Sequence, residues 1–308
     1  MSIAQILPVL AASMGAATPL LLAGLGELVA ERSGVINLGV EGMMLIGAIA
    51  GFACAVDSGL GAWAGLGAGA VAGAIASLFF AIPALSLSAN QSACGLALTI
   101  FGVGLSAFIG QNYVSYSLPG MQPWPVPGLA SIPWIGPVLF NQAPVVYVAL
   151  ALFAVTWWIL ARTRVGLVLR AVGESPDSAH AIGYPVLLIR YGAVMFGGAM
   201  AGLGGAYLST VYTPLWVQNM TAGRGWIAIA LVVFASWKPG RLLIGAFLFG
   251  GVTILQFHAQ TLGITVPIQL LAALPYLATV VVLVVISRDK RLVQLNLPAS
   301  LGKPFLPN

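Results

Sequence analysis

Charged residues are scarce in this sequence. Only 6% of its 308 residues are Asp, Glu, Lys or Arg, 60% are hydrophobic, and the mean hydropathy is +1.02. A soluble globular domain carries roughly a quarter charged residues, so this chain has too few to cover a water-facing surface. The composition therefore predicts a polytopic membrane protein.

Cysteine and histidine are also rare, with two of each. Cys54 and Cys94 lie in apolar segments, which is typical of small buried side chains and excludes a disulfide framework. His258 has no second His or carboxylate at metal-ligand spacing, so we predict no metal site. We also expect no cofactor bound to the chain itself.

Catalytic and nucleotide-binding motifs are missing. There is no Gly-x-Ser-x-Gly or His-Glu-x-x-His motif, and the only Gly-Lys dipeptide, Gly302-Lys303, is followed by proline. The basic residues form no patch with interleaved aromatics, which excludes a nucleic-acid partner. The chain is therefore not expected to be an enzyme, and any ATP chemistry must come from another chain.

Long apolar segments fill the chain instead. A bilayer core needs about 20 apolar residues as a helix, and nine segments qualify or nearly qualify, with eight to ten spans as the range. The seventh is short and could be a half-helix. We predict an all-α polytopic bundle in one transmembrane domain, residues 1–308. The segments are 3–26, 35–56, 60–82, 91–111, 143–161, 191–212, 225–237, 241–262 and 266–287.

Lysine and arginine indicate the orientation, because they accumulate in cytoplasmic loops. If the amino terminus is outside and the segments alternate, only Arg224 of the twelve basic residues is outside. The inner ones are Arg32, Arg162, Arg164, Arg170, Arg190, Lys238, Arg241, Arg288, Lys290, Arg291 and Lys303. We therefore predict an N-out/C-in protein with an odd number of crossings.

Two connections and one glycine pattern stand out. The outer loop, about 112–142, is rich in proline and aromatics, which predicts a packed cap near the membrane boundary. The inner loop, about 162–190, is the most polar stretch. Glycine recurs every four residues at 61, 65, 69 and 73 and again at 198 and 202. These faces favour close helix packing within the chain over a dimer contact.

Polar residues within the spans are candidates for a solute pathway. Asn37 and Glu41 are four residues apart and are predicted to share one helix face. They could line a polar cavity; alternatively they tie helices together by buried hydrogen bonds, or Glu41 pairs with Arg32. Asn90 and Gln91 open the fourth segment, where the asparagine could instead cap a helix.

A third group of polar residues lies in a short loop predicted on the outer side. Trp216, Gln218 and Asn219, with Thr221 and Arg224, could meet the solute or a protein that delivers it. The alternative is that they are merely solvated.

The inner loop contains signals for a short helix. Ser175 can serve as the N-cap, Pro176 fits the first helical position, and Asp177 complements the helix dipole in the first turn. Gly183 ends the helix and Pro185 prevents it from resuming. Such a helix could receive force from an ATPase; the alternative is an ordinary surface helix on the membrane.

Two stretches resemble a known family. The inner loop resembles the coupling loop of ABC importer permeases, with Gly173, Glu174, Pro176, Ala179, Ala181 and Gly183 in the expected order. The stretch Gly26-Glu-Leu-Val-Ala-Glu-Arg-Ser-Gly-Val-Ile-Asn-Leu-Gly-Val-Glu-Gly-Met-Met-Leu-Ile-Gly-Ala48 looks like the signature of permeases for ribose-type sugars, branched-chain amino acids and nucleosides. It is most similar to the nucleoside and simple-sugar group, and the resemblance runs from Gly24 to the last span.

The resemblance implies a type II-like ABC importer permease in a bacterial inner membrane. A second permease subunit, a sister chain or an identical copy, would complete the pathway. A separate ABC ATPase subunit would bind ATP and Mg. A substrate-binding lipoprotein or periplasmic protein would deliver the solute. The residues expected to couple the permease to the ATPase are Gly173, Glu174, Ser175, Pro176, Asp177, Ala179 and Gly183.

The expected solute is a nucleoside. It is uncharged, in keeping with the scarcity of intramembrane charge, but the same argument suits a simple sugar or another small polar solute. The main alternative from another class is an ion-coupled secondary transporter with Glu41 at its ion site. Dependence of transport on ATP or on an ion gradient separates these classes.

Overall fold

The computed structural model describes residues 3–261, 273–274, 277, 280–281, 284 and 296–306. This part of the chain is mostly helical, as predicted. Its helices are α1 (Ile3–Arg32), α2 (Val40–Ser58), α3 (Gly61–Ala81), α4 (Gln91–Gly110), α5 (Ile135–Leu139), α6 (Pro144–Arg162), α7 (Arg164–Glu174), α8 (Pro176–Ala181), α9 (Val186–Tyr207), α10 (Arg224–Phe234) and α11 (Pro239–Thr261).

Seven helical segments within the described residues are long and apolar enough to cross a membrane. They are Leu7–Arg32, Val40–Ser58, Gly61–Ser86, Gln91–Tyr113, Pro144–Arg162, Val186–Tyr212 and Pro239–Gln256. The seventh predicted segment is confirmed as short, since α10 has 11 residues, a length of about 16 Å. The ninth, 266–287, lies outside the described residues apart from a few helical positions.

Two of the spans end in wider turns. Helix α3 continues as a π-helical turn, Ile82–Ser86, that contains Pro83, and α9 continues as a second one, Leu208–Tyr212. Proline explains the first, because its ring clashes with the carbonyl one turn back and it has no N–H to donate. Both turns widen the backbone where a span approaches its connection.

The outer loop carries little regular structure. A two-residue strand, β1 (Trp124–Pro125), pairs antiparallel with β2 (Asn141–Gln142), and the short helix α5 lies between them. The side chain of Gln142 anchors this ribbon to the bundle by donating to the carbonyls of Ala11 at 3.1 Å and Val138 at 2.7 Å. Trp124 and Trp134 remain more than half exposed.

The core forms around α1, α2 and α9. Helix α1 packs against α9, α10 and α11, and α2 packs against α3 and α9. Glycines permit the closest approach: a Cβ on Gly73 would lie 2.2 Å from the carbonyl oxygen of Gly198, and one on Gly202 would lie 2.2 Å from that of Gly69. The predicted packing within the chain is confirmed. Gly61 takes no part, because it starts α3 with φ of +75° beside open space.

Candidate functional site

The connection between α1 and α2 folds back into the bundle. The chain turns at Gly34, whose φ is +91°, and the backbone N–H of Asn37 donates to Glu27 Oε1 at 3.1 Å. The Asn37 Oδ1 atom accepts from the N–H of Gly39 at 2.9 Å, and α2 begins only at Val40. The prediction that Asn37 shares a helix face with Glu41 is therefore wrong, because Asn37 lies in the turn before the helix.

Glu41 binds the amino-terminal end of α10. Its Oε1 atom accepts from the hydroxyl of Thr221 at 2.5 Å and from the N–H of Gly223 at 2.8 Å, and its Oε2 atom accepts from the N–H of Gly225 at 2.7 Å. The first N–H groups of a helix have no partner within it and carry a partial positive charge. A buried carboxylate satisfies both needs, so Glu41 caps α10.

This contact lies deep in the bundle. Six residues after Glu41, Gly47 packs against Gly202 of α9, and Gly51 then packs against Ala206, so α2 and α9 run in the same direction. At 1.5 Å per residue, Glu41 lies about 15 Å from the Val186 end of the 27-residue span Val186–Tyr212. Helix α10 is thus a half-helix that starts near the middle of the bundle.

The segment 213–223 leads to that half-helix from the end of the bundle that carries the loop 112–142. It begins beside the outer loop, where the N–H of Leu118 donates to Pro214 O at 2.9 Å. Trp216 is 3% exposed and packs against Phe52. The prediction of a short outer loop is therefore wrong for this segment, which enters the bundle and buries Trp216 and Thr221.

Gln218 and Asn219 remain exposed on this entering segment. They lie between the buried Trp216 and the buried Thr221 that binds Glu41. Of the predicted pathway residues, Trp216, Gln218 and Asn219 therefore lie on the segment 213–223. Glu41 of α2 binds this segment through Thr221, although Glu41 itself is only 5% exposed. Asn37 and Glu41 both make buried hydrogen bonds to other segments. These contacts match the alternative prediction, in which the two residues join helices.

Asn90 and Gln91 lie apart from that segment. Asn90 Oδ1 accepts from the N–H of Ala93 at 3.0 Å, which makes it the N-cap of α4. Gln91 Oε1 accepts from the N–H of Ile36 at 2.9 Å and so joins α4 to the α1–α2 connection. Both residues line a cavity of about 350 Å³, together with Ile36 and Gly302.

Two buried carboxylates near the end of α1 were missed in the sequence. Glu27 and Glu31 are 1% and 2% exposed, and the indole N–H of Trp237 donates to Glu31 Oε2 at 2.5 Å. The predicted span stopped at residue 26, whereas α1 continues to Arg32. The absence of proline and glycine between Gly26 and Gly34 is the signal that extends it.

Arg190 was predicted in the inner loop, but it lies in α9 and is 1% exposed. Its Nε, Nη1 and Nη2 atoms donate to Ser33 O at 3.1 Å, Lys303 O at 3.2 Å and Ser300 Oγ at 3.1 Å. One guanidinium therefore joins α1, α9 and residues 296–306, which we call the C-terminal segment.

The predicted helix of the inner loop is confirmed as α8. Ser175 caps it by accepting from the N–H of Ser178 at 3.3 Å, Pro176 is its first residue, and Gly183 follows it with φ of +94°. Glu174 and Asp177 are exposed, whereas Ala179 is buried. Helix α8 and the preceding α7 thus form a structured surface at one end of the bundle.

The C-terminal segment fixes this surface to α1. Ser300 donates to Gly173 O from both its N–H, at 3.0 Å, and its hydroxyl, at 2.7 Å, and the N–H of Gly302 donates to Gly34 O at 3.1 Å. Phe305 packs against Ala179 of α8. A Cβ on Gly173 would lie 2.2 Å from Arg32 O, so α7 can meet α1 this closely only with glycine there.

Glu41 does not pair with Arg32, which was the other alternative predicted for this carboxylate. Arg32 donates instead to Trp237 O at 2.8 Å and Asn296 O at 3.4 Å. The predicted coupling residues lie together at one end of the bundle. The predicted pathway residues instead divide among three places: the α1–α2 connection with the start of α2, the segment 213–223, and the start of α4.

Known proteins are similar in sequence to this chain along nearly its whole length. The family of branched-chain amino acid transport system permease components matches residues 9–286. A provisionally named glucose ABC transporter permease protein of Haloferax volcanii, TsgC13, is 42% identical over 96% of each chain. The guanosine ABC transporter permease protein NupQ of Bacillus subtilis is 34% identical, over 92% of this chain and 93% of its own.

A third relative extends the same pattern. The nucleoside ABC transporter permease protein NupC of Lactococcus lactis is 31% identical, over 86% of this chain and 88% of its own. The family match covers most of the bundle described above, including the segment 213–223 and the inner loop, 162–190. The chain therefore belongs to the family of branched-chain amino acid transport system permease components.

Proposed function

We propose that this chain is the permease subunit of an ABC importer that takes up nucleosides or sugars. Family membership carries the proposal, together with two features of the bundle. The half-helix α10 starts near the middle of the bundle, where Glu41 caps it. Helices α7 and α8 form a structured pair at one end. A half-helix whose N-terminus lies at mid-depth is a recurring way to build a solute site in a membrane transporter.

The proposed orientation is N-out/C-in in the cytoplasmic membrane, because it places nearly all basic residues on one side. On that inner side, α8 and the exposed Glu174 and Asp177 would meet the ABC ATPase, which holds ATP and Mg. A second permease subunit would complete the pathway, and a substrate-binding protein would dock on the outer loop. Copurification of the tagged chain in mild detergent, followed by mass spectrometry, tests for these partners; recovery without any ATPase contradicts the proposal.

Coupling would pass from α8 to α1 through the C-terminal segment. The contacts that support this route are those of Phe305 with Ala179, of Ser300 with Gly173, and of Gly302 with Gly34. A push on α8 would therefore reach the α1–α2 connection, where Asn37 binds Glu27.

Variants on this surface test the coupling role. Glu174→Arg reverses an exposed charge and Gly183→Pro removes the left-handed turn, since proline fixes φ near −65°. We expect both to insert and fold, to keep ATP hydrolysis by the complex, and to reduce uptake at least tenfold. Exposed Gly120 of the outer loop supplies the control, because Gly120→Ala meets no atom within 4 Å. Full uptake by both inner variants would refute the assignment of α8.

The proposed solute pathway follows the exposed polar side of segment 213–223, with Gln218 and Asn219 facing it and Glu41 positioning it. Glu41→Gln tests this role. Three donors converge on the two carboxylate oxygens, so an amide must turn its NH₂ toward a donor. We expect uptake to fall about tenfold, the cost of one buried hydrogen bond to a charged group, while Thr221→Ser transports normally. Normal uptake by Glu41→Gln would contradict the positioning role.

The solute class is tested by direct uptake. Guanosine and glucose are the first compounds to try, because relatives are named for guanosine, nucleoside and glucose transport. Vesicles that contain the whole complex should accumulate one of them only with internal ATP. The preference for a nucleoside over a sugar stays a prediction. Uptake driven by an ion gradient without ATP would instead favour a secondary transporter.

A further inference from the structure

A large apolar groove opens on the side of the bundle between α6 and α9. Ala149 of α6 and Met200 of α9 belong with Leu22 of α1 to one buried cluster. On the Val186 side of this cluster, a cavity of about 680 Å³ is lined by residues of α6, α7 and α9. This volume is within the range of known ligand pockets.

The side chains that line the groove are mostly apolar. Its walls include Ile159 and Leu160 of α6, Val168 of α7 and Phe196 of α9. Gly192 of α9 also lines it, and a Cβ at this position would meet no atom within 4 Å. The groove therefore has free space for a flexible apolar chain.

Positive charge lies at the inner mouth of this groove. Arg164 lines it as the first residue of α7, and Arg162 ends α6 two positions earlier. Both arginines are exposed, as are the apolar side chains of Val165 and Leu167 in the first turn of α7. Neighbouring basic and apolar exposed side chains are typical of a helix at the boundary between lipid headgroups and acyl chains.

We propose that this groove is a binding site for an anionic phospholipid. One acyl chain occupies the space beside Gly192, and the phosphate is bound by Arg164 with Arg162 nearby. Basic pockets between membrane helices on the cytoplasmic side bind anionic headgroups by the same charge complementarity. The lipid would fill the gap between α6 and α9 and contact α7, the helix that leads into α8.

Retention of defined lipids by the purified full-length chain tests this site without any transport assay, so its failure is separable from failure of the importer assignment. The chain is mixed in detergent with equal amounts of dioleoyl phosphatidylglycerol and dioleoyl phosphatidylcholine, and bound lipid is counted by native mass spectrometry. These lipids share acyl chains and differ in net charge. We expect wild type to retain the phosphatidylglycerol preferentially; equal retention overturns the proposal.

Two variants address the two halves of the site. Arg164→Gln should lower the phosphatidylglycerol preference about fivefold, since one basic residue near anionic lipid contributes about 1 kcal/mol. Gly192→Leu should reduce retention of both lipids by filling the groove. Gly104→Leu, which also meets open space but lies on α4, is the control and should bind as wild type does. An unchanged preference for phosphatidylglycerol in Arg164→Gln, or unchanged retention of both lipids in Gly192→Leu, contradicts the proposal.

A second permease subunit is the competing occupant of the groove. Chains that carry Val165→Cys would then cross-link to one another or to the sister subunit in the assembled complex, with no dependence on added phosphatidylglycerol. That result overturns the lipid assignment. Folding of each variant is checked by size exclusion, and the wild-type competition between the two lipids requires no variant at all.

Discussion

The two ends of the bundle are held together by different chemistry. At the inner end, buried polar groups join segments that are far apart in sequence, as when Arg190 binds both Ser33 and Ser300. At the outer end, the loop of residues 112–142 is mostly exposed, with Trp124 at 64% and Trp134 at 54% exposure. The side chain of Gln142 donates a hydrogen bond from this loop to Ala11 O of α1, and α5 packs against α1.

This difference matches the roles proposed for the two ends. An end that transmits force must move as one body, and buried hydrogen bonds to a fixed guanidinium favour that because unmaking them is costly. The end that binds the substrate-binding protein needs accessible surface. Exposed tryptophans supply contact area of the kind found at protein interfaces. The inner end should therefore be sensitive to small changes, and the outer end tolerant of large ones.

The largest effect is expected for Arg190→Met. Methionine fills much of the same space but donates nothing, so Ser33 O and Ser300 Oγ lose a donor in a buried site and Lys303 O loses one in a part-buried site. We expect a loss of about 3 kcal/mol in the free energy of unfolding, measured by detergent denaturation with tryptophan fluorescence.

Arg190→Lys is the matched control for that variant. Lysine keeps the charge, but one ammonium group replaces the fork that reaches three acceptors, so an intermediate loss is expected. A loss below about 1 kcal/mol for Arg190→Met would show that the inner end does not depend on this network and would remove the contrast between the ends.

A smaller effect is expected for Ser300→Ala. The hydroxyl donates to Gly173 O and accepts from Arg190, while the backbone N–H of Ser300 keeps its own bond to Gly173 O. We expect a loss of about 1 kcal/mol. We also expect more ATP hydrolysed per solute imported, a readout that loss of stability alone would not change. Exposed Ala299 provides the control Ala299→Gly, and an unchanged ratio in Ser300→Ala would exclude Ser300 from coupling.

Local signals in the sequence predicted part of this architecture. The capped helix α8 was found because Ser175, Pro176 and Gly183 act on their immediate neighbours. The spacing of glycines in α3 predicted a packing face for the same reason. The short seventh segment followed from the length of its apolar run. These features depend on sequence separations of a few residues, and the structure confirms them.

The features that were mispredicted depend on distant partners. Asn37 leaves the helix because its backbone reaches Glu27 ten residues back, and Glu31 stays buried because Trp237 donates to it across 206 residues. Likewise, the segment before α10 enters the bundle because Glu41 binds Thr221 across 180 residues. Nothing local to either partner indicates such a pairing, and an isolated carboxylate in an apolar run suits several roles equally.

The smallest effect on stability is expected at the outer end, for Trp124→Ala. Its indole is exposed, and its backbone pairing with Gln142 in the β1–β2 ribbon does not require the side chain. We therefore expect a change within about 0.5 kcal/mol in the free energy of unfolding. Affinity for the delivering protein, measured by surface plasmon resonance on the reconstituted complex, should nevertheless fall about tenfold, because Trp124 is exposed on the proposed docking surface and tryptophan often dominates binding energy at interfaces. Trp124→Phe should retain most of the affinity.

A loss of stability in Trp124→Ala larger than that of Ser300→Ala would contradict this comparison. The outer loop would then be as tightly built as the inner end, and the proposed division between a force-bearing end and a receiving end would be wrong.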